Sequence, residues 1–182
     1  MELWVGALSL GFLYAIMTMG VYITFRVFDF PDVTVDGSFT AGAAITAVLI
    51  VAGVNPFLAL GAAGAIGAAA GLVTAVIHSR LNVNGLLAGI LVMTGLYSIN
   101  LHVMGRSNIP LLNQVTFFSY LERSNPGLPS EIWICAALGV GMVIFWVLVS
   151  LFFKTDLGIA MRATGNNPVM AAANGVNVNW MK

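Results

Sequence analysis

Five long apolar stretches alternate with short polar segments along this chain. They run approximately over residues 3–25, 37–53, 56–78, 84–104 and 132–153. A helix that crosses the hydrocarbon core of a bilayer needs about 20 mostly apolar residues, with a range of roughly 17 to 25. Every stretch falls in that range, the second only just, and none alternates in the manner of a barrel strand. The pattern predicts five membrane-spanning helices.

The composition of the chain supports a membrane location. Hydrophobic residues make up 59% of the 182 residues and charged residues only 8%, whereas a soluble domain carries about 25% charged residues. The net charge is zero and no basic tract is present, so nothing indicates a nucleic-acid partner. The single cysteine, Cys135, excludes an intrachain disulfide. The predicted fold class is all-α, a polytopic transmembrane helix bundle.

The basic residues predict the orientation of the bundle. If successive spans alternate direction, Arg106 and Arg123 lie on one side of the membrane. The other five basic residues lie on the opposite side: Arg26, Arg80, Lys154, Arg162 and Lys182. Because cytoplasmic loops carry an excess of lysine and arginine, we expect the second side to be cytoplasmic and the N-terminus to be outside.

The third span is rich in small residues. Its stretch "GAAGAIGAAAG", residues 61–71, places glycine at positions 61, 64, 67 and 71, and the last two form a GxxxG pair. Small side chains let helix backbones approach closely. The stretch therefore predicts a helix surrounded by protein, and tight packing inside one subunit is a better interpretation than a dimerisation motif.

A polar segment separates the first two spans. "VFDFPDVTVDGS", residues 27–38, contains three aspartates. Pro31 and Gly37 are expected to interrupt the helix, and Asp36 or Ser38 to cap the helix that follows. The aspartates could suggest carboxylate chemistry or a cation site, but the sequence supplies no further ligands. The segment predicts a break in the helical structure.

The fourth span carries polar side chains along its length. Thr94, Tyr97 and Ser98 are separated by three and four residues, so they share one face of a helix. They could form interhelical hydrogen bonds, each worth about 0.6 kcal/mol on average. They could equally line a polar translocation path. The sequence leaves both interpretations open.

The segment that follows the last span, residues 154–182, contains the signals of a short helix. Asn167 is a good N-cap, Pro168 suits the first helical position, and Gly175 suits the position just past the end. These signals predict a helix over residues 168–174. Such a short helix is not stable alone in water, so we expect it to lie in a groove of a partner.

A turn is also expected directly before this helix. Thr155 and Asp156 are candidates to cap a short helical turn that runs toward Ala163. The sequence "TGNN", residues 164–167, is then expected to break that turn.

No catalytic motif is recognisable. A nucleotide-binding Walker A loop needs a Gly-Lys pair, and the two lysines follow Phe153 and Met181 instead. The chain also lacks the G-x-S-x-G and H-E-x-x-H motifs. We therefore expect neither an enzyme activity nor a cofactor or a metal site on this chain.

Three segments resemble the permease subunits of bacterial ABC importers in the branched-chain amino acid and ribose class. "FPDVTVDGSFTAGAA" lies where that family has a polar break, and "NGLLAGILVMTGLYSINLHVMG", residues 84–105, is similar to a subgroup for tryptophan, tyrosine or related amino acids. "GIAMRATGNNPVMAAANGVNV", residues 158–178, resembles the family's cytoplasmic loop. The matching positions of this loop are Gly158, Arg162, Ala163, Gly165, Asn167, Pro168, Gly175 and Val176.

The resemblance implies a function in uptake. It implies a multi-pass protein of the bacterial inner membrane that moves a small solute, an amino acid by the subgroup, by alternating access. The implied partners are cytoplasmic ATP-binding subunits, a second permease subunit, an external substrate-binding protein and membrane lipid. The family has further spanning helices after this loop, so the chain is expected to be a fragment.

The resemblance also implies roles for particular regions. Residues 1–153 would form the transmembrane permease region and residues 154–182 a cytoplasmic coupling loop. The expected ATPase-coupling residues are Gly158, Arg162, Gly165, Asn167, Pro168, Ala172 and Gly175. The candidates for a substrate pathway are Phe30, Asp32, Thr34, Asp36, Ser38, Thr94, Tyr97 and Ser98.

Other functions stay open at this point. In a secondary transporter or a channel subunit, Asp32 or Asp36 would be a proton or cation site. A third alternative is a purely structural membrane subunit. The three aspartates could also merely lie in a solvated loop in the cytoplasmic headgroup region, although a functional or helix-capping role is the better interpretation for Asp32 and Asp36. An ATP-binding partner would separate the importer from both alternatives.

Overall fold

The computed structural model describes residues 2–28, 32–111, 114–119 and 130–178, and these residues form helices and no strands. Seven helices are numbered here in chain order: α1 (Glu2–Phe28), α2 (Thr34–Val51), α3 (Pro56–Arg80), α4 (Gly85–Met104), α5 (Ser130–Phe152), α6 (Asp156–Asn166) and α7 (Pro168–Ala173). Helices α1 to α5 are long and apolar enough to cross a membrane. The predicted all-α fold class and the five predicted spans are confirmed.

Side-chain caps and glycines fix several helix ends. The Asn55 side chain accepts a hydrogen bond of 2.9 Å from the Phe57 amide at the start of α3. Asn84 does the same for the Leu86 amide at the start of α4. Gly105 ends α4 with φ at 63°, a left-handed conformation that favours glycine. These ends follow directly from the local sequence.

The chain divides into two compact units. The central unit contains residues 33–133 and therefore α2, α3 and α4. The terminal unit contains residues 1–32 and 134–182, and therefore α1, most of α5, α6 and α7.

Small residues form the core of the central unit. The buried apolar side chains of its helices are mostly alanines, at positions 41, 44, 47, 59, 70 and 88. A Cβ atom added to Gly37 of α2 would lie 2.9 Å from the Cα atom of Met93 on α4. Since no real side chain tolerates that distance, glycine is required there, and the two helix backbones approach closely.

The glycines of α3 do not take part in this packing. A Cβ atom added to any glycine at positions 61, 64, 67 or 71 would meet no atom of the described residues within 4 Å. Helix α3 instead buries Ala59, Ala70 and Thr74. Tight packing at the glycines thus stays a prediction, and its contacts would have to come from outside the described residues.

The beginning of α2 corrects the predicted break. The helix starts at Thr34, its N-cap Val33 makes no side-chain capping bond, and Gly37 lies within the helix. The Ser38 hydroxyl donates to the Val35 carbonyl oxygen at 3.0 Å. The prediction that Asp36 or Ser38 caps this helix, and that Gly37 interrupts it, is therefore wrong. Packing against α3 and α4 contributes to holding this helix start.

In the terminal unit, α6 packs against α1. Helices α1 and α5 approach each other where a Cβ atom added to Gly139 would lie 3.3 Å from the Phe12 ring. The most apolar windows of α1 and α5 contain no buried residue. Both helices therefore leave many apolar side chains exposed or only partly covered, which agrees with a place in lipid or against other protein.

Candidate functional site

Thr34, the first residue of α2, lies in a buried hydrogen bond between two helices. Its hydroxyl oxygen is 2.8 Å from that of Thr74 on α3, and its exposed fraction is only 1%. The Thr74 hydroxyl also donates to the Ala70 carbonyl oxygen at 3.2 Å. This pathway candidate is therefore enclosed between α2 and α3 in the central unit.

The aspartates near the start of α2 lie in different surroundings. Asp36 is half-buried and lies in the first turn of α2, where a negative charge interacts favourably with the partial positive charge of the helix N-terminus. Asp32 is half-buried and precedes the helix. Phe30 and Pro31 lie outside the described residues, so the role predicted for Phe30 and the interruption predicted at Pro31 are not addressed by the structure.

The three polar candidates of α4 are all exposed. Tyr97 is 68% exposed, and Thr94 and Ser98 are exposed as well. The Thr94 hydroxyl donates within its own helix, to the Ile90 carbonyl oxygen at 2.9 Å. None of the three takes part in a described interhelical hydrogen bond.

Helix α4 meets α2 through other residues. Met93 and Leu96 are the residues that a Cβ atom at Gly37 would touch, whereas Thr94 and Tyr97 are exposed. The candidates from α2 are buried or half-buried, whereas those from α4 are exposed. The pathway role of both groups stays a prediction.

A polar contact that the sequence did not identify joins α2 and α4. The Asn100 side chain is buried and donates from Nδ2 to the Thr40 hydroxyl at 3.5 Å. Asn100 lies four residues after Leu96 and thus on the same helix face, the face that contacts α2. The sequence shows Asn100 as a polar residue within an apolar span, but only the packing of Leu96 shows which polar residues of α4 point inward.

The junction between α5 and α6 is a tight turn. The Thr155 hydroxyl accepts a hydrogen bond from the Gly158 amide at 3.3 Å, as expected of an N-cap. A Cβ atom added to Gly158 would lie 2.5 Å from the Cα atom of Phe153 and would also clash with the Phe152 carbonyl oxygen. Any larger residue would force α6 away from the end of α5.

Arg162 also connects α6 to the end of α5. Its Nη2 atom donates to the Phe153 carbonyl oxygen at 2.9 Å, although the side chain as a whole is exposed. The carbonyl groups at the end of a helix carry partial negative charge, so a guanidinium group there is stabilising. Arg162 therefore holds α6 in place besides any role toward a partner.

Helix α6 is longer than the sequence predicts. It begins at Asp156, which is the first helical residue while Thr155 is the cap, and it continues to Asn166. The helix ends within "TGNN", as predicted, but only at the last residue of that stretch, because Thr164, Gly165 and Asn166 keep a helical conformation. The helix ends at Asn167, which is extended with φ at −154° and ψ at 96°, since a residue before proline disfavours the helical region.

Helix α7 begins and ends at the predicted signals. The Asn167 side chain accepts a hydrogen bond from the Met170 amide at 3.0 Å, and Pro168 is the first helical residue. Gly175 has φ at +82°, the left-handed conformation that terminates a helix. The helix ends at Ala173 with Asn174 as its C-cap, one residue earlier than predicted.

Most side chains of α7 face away from the terminal unit. Ala171 is only 4% exposed, whereas Val169 is 76% exposed and Met170 is also largely exposed. Ala172 is exposed as well. A short, uncharged helix therefore presents small and apolar side chains on its outer surface, while a single alanine fixes it to its own unit.

Comparison with known proteins gives matches over nearly the whole chain. Residues 3–182 match the family described as the permease component of the branched-chain amino acid transport system. The chain is 40% identical over 178 residues to a tyrosine transport system permease protein of Clostridioides difficile, which covers 98% of this chain and 57% of the relative. It is 28% identical over 171 residues to the ribose import permease protein RbsC of Escherichia coli, which covers 92% of this chain and 51% of the relative.

The chain thus spans little more than half the length of these curated relatives. No solved structure matches it significantly.

Proposed function

Because this chain belongs to the family of permease components of branched-chain amino acid transport systems, we propose that it moves an amino acid through the bacterial plasma membrane within an ATP-driven importer. The chain is a multi-pass membrane protein of the ABC permease type with five spanning helices. The movement would be alternating access, powered by ATP hydrolysis on separate subunits.

The observation that carries this proposal is the exposed apolar surface of α7. A six-residue helix gains little stability from its own hydrogen bonds, and here both of its ends are fixed by Asn167 and Gly175. Uncharged side chains on a water-facing helix are best explained by a partner that covers them. We assign α7 as the coupling helix that docks in a groove of a cytoplasmic ATP-binding subunit.

The neighbouring segment would transmit the movement of that subunit. Gly158 permits the close turn between α5 and α6, and Arg162 bonds to the end of α5. A push on α7 would therefore reach a spanning helix through α6. In this proposal residues 154–182 are the coupling loop and residues 1–153 the transmembrane region, and Gly165 gives α6 a smooth surface near α7.

The remaining partners and the substrate belong to the same proposal. A second permease subunit would complete the translocation path, and an external substrate-binding protein would deliver the solute. The identity of 40% to a permease named for tyrosine transport supports an aromatic amino acid over a sugar.

Uptake of radiolabelled tyrosine by cells with the complete importer should be competed by phenylalanine or tryptophan and unaffected by ribose. Equal competition by ribose would contradict the substrate class.

Two substitutions in the full-length permease test the coupling role. Ala172→Trp should enlarge the exposed surface of α7 and separate it from the ATP-binding subunit, while Ala172→Ser serves as the control of similar size. Gly175→Val should force a β-branched residue into a left-handed conformation, and Gly175→Asn tolerates that conformation and serves as its control.

Association, transport and ATP hydrolysis are the measurements. Both disruptive variants should lose transport and should either lose the ATP-binding subunit in a pull-down or hydrolyse ATP without transport. A cysteine at Asn166, in a variant that lacks Cys135, should be labelled only after the cells are permeabilised. Coupled transport at the wild-type rate in both variants, or labelling of intact cells, would show that α7 is not the coupling helix.

A further inference from the structure

A positively charged groove lies within the terminal unit. It has a volume of about 780 Å³ and is lined by residues of α1, α5 and α6 and of the turn between α5 and α6. Three basic side chains contribute to it: Arg26 of α1, Lys154 of the turn, and Arg162 of α6. No acidic side chain lines it among the described residues. The groove therefore has a strongly positive rim that would attract an anion.

The basic side chains keep most of their donors available. Arg162 uses Nη2 for the Phe153 carbonyl oxygen, and a guanidinium group has five N–H donors in all. Arg26 and Lys154 are exposed. None of the three forms an ion pair with a carboxylate in the part of the chain that the structure describes, so their charges are not neutralised there.

The rest of the groove is mostly apolar, with Ser150 and Asn166 as further polar lining residues, and it extends along the spanning helices. Tyr22 lies four residues before Arg26 on α1, and Trp146 lies seven residues before Phe153 on α5. At 1.5 Å per residue these side chains lie about 6 Å and about 10 Å deeper along their helices. The groove thus joins a charged end to an apolar wall that runs into the span.

A second groove continues this apolar surface. It has a volume of about 320 Å³, and it shares Ile23, Val149 and Phe153 with the first groove. Its other lining residues, Leu148, Phe152 and Met161, carry no charge. One groove that joins three cations to an apolar wall, together with an adjoining apolar groove, matches a molecule with a single anionic group and two hydrocarbon chains.

From this arrangement we propose that the terminal unit binds an anionic phospholipid. The phosphate of the head group would lie among Arg26, Lys154 and Arg162, and the acyl chains would lie along the two apolar grooves. Basic pockets between spanning helices suit anionic head groups, and aromatic residues such as Tyr22 and Trp146 favour the membrane interface. A free phosphate ion would use the cations alone and would leave the apolar wall uncovered.

The proposal requires only that these helices lie in a bilayer and does not rest on the ATP-binding partner. A lipid at this position would contact α1, α5 and α6 together. It would therefore strengthen the attachment of α6 to the spanning helices, to which the hydrogen bond of Arg162 also contributes.

Native mass spectrometry of the purified full-length permease tests the proposal. Phosphatidylglycerol should bind with higher affinity than phosphatidylcholine, which has no net charge. Because one basic side chain near an anionic lipid contributes about fivefold in affinity, Arg26→Gln with Lys154→Gln should weaken phosphatidylglycerol binding by about 25-fold. Arg80→Gln, an exposed cation at the end of α3 outside the groove, is the matched control and should have no effect.

Two further measurements separate the possible ligands. Phosphatidylglycerol with brominated acyl chains should quench tryptophan fluorescence more than its phosphatidylcholine counterpart, and Trp146→Phe should remove that excess. Glycerol phosphate, which has the head group but no acyl chains, should not displace the lipid at equal concentration. The proposal is overturned if the wild type shows no preference for phosphatidylglycerol, if glycerol phosphate competes equally, or if the cation variants lose the ATP-binding subunit but keep the lipid.

Discussion

The two units of this protein obtain their structure in different ways. In the central unit, a third of the most apolar window of α2 is buried (33%), and none of the corresponding windows of α1 or α5 in the terminal unit is buried (0%). Contacts between helices hold the central unit, including the buried pair of Thr34 and Thr74. Local side-chain caps occur in both units, at Asn55 and Asn84 in the central unit and at Thr155 and Asn167 in the terminal unit, so the difference between the units lies in how much of their spanning helices is buried.

This difference predicts what a substitution in each unit should change. The central unit already packs its small residues against each other, so a change there should mainly alter stability. Both units leave large apolar side chains exposed, but in the terminal unit α6 is joined to α5 by one tight turn at Gly158, so a substitution at that turn should mainly alter transport. Substitutions matched across the two units can test this contrast.

The largest effect is expected at Gly158, in the terminal unit. Gly158→Ala would place a Cβ atom 2.5 Å from the Phe153 Cα atom, which forces α6 and α7 to move relative to α5. Transport should fall to the background level although the permease still inserts into the membrane. Gly141→Ala on α5 is the control, because a Cβ atom there meets nothing within 4 Å. Full transport by the Gly158→Ala variant would contradict a rigid junction.

The next effect is expected at Gly37, in the central unit. Gly37→Ala would place a Cβ atom 2.9 Å from the Met93 Cα atom, and overpacking of this kind costs about 1–3 kcal/mol. The midpoint of thermal unfolding in detergent should therefore fall. Gly42→Ala meets Ala63 at an ordinary 3.5 Å and should leave the midpoint unchanged or raised. Equal stability of the two variants would show that α2 and α4 are loosely packed.

The contrast between the units also explains what the sequence could predict. The five spans and the ends of α7 depend on local features, namely apolar length, Asn167 and Gly175, and these predictions were confirmed. The start of α2 depends on the packing of Thr34 and Gly37 against other helices, which local sequence does not specify. For that reason the local sequence predicts Asp36 or Ser38 as the cap, whereas the N-cap of α2 is Val33.

For the same reason the sequence does not predict which polar face of α4 is buried. Thr94, Tyr97 and Ser98 were identified as one face of α4, and all three are exposed. The buried polar residue of α4 is Asn100. It lies on the helix face that includes Met93 and Leu96, against which Gly37 of α2 packs. The sequence reveals which residues share a face, but the neighbouring helix decides which face is buried.

A smaller effect is expected from the hydrogen bond between α2 and α3. Thr34→Val and Thr74→Val each remove one hydroxyl of a pair that is 2.8 Å apart. Interhelical hydrogen bonds in membranes contribute about 0.6 kcal/mol on average, so a double-mutant cycle on unfolding free energies should give a coupling of about that size. Thr18→Val, which removes a hydrogen bond within α1 to the Tyr14 carbonyl oxygen, should show no coupling to either. A coupling energy of zero for the pair would show that this hydrogen bond does not stabilise the central unit.

A similarly small effect on stability is expected at Asp36, and substitutions there separate the importer from a proton- or ion-driven transporter. Asp36 is not a cap, and its negative charge lies in the first turn of α2, where it contributes about 0.3–1 kcal/mol through the helix dipole. Asp36→Asn keeps the shape of the side chain and should keep most of the transport, with the same dependence on external pH as the wild type. Asp36→Leu also removes the polar group and should lose more of the transport.

The measurement for the Asp36 variants is ATP-dependent uptake in vesicles between pH 5.5 and 8, with protein levels matched, and Thr40→Ser as a conservative control on the same helix. Complete loss in the Asp36→Asn variant at a normal protein level, with an altered pH profile in the residual activity of other Asp36 variants, would mean that this carboxylate carries a proton or a cation. The central unit would then contain the driving chemistry itself, and the contrast with a terminal unit that receives its energy from a partner would be lost.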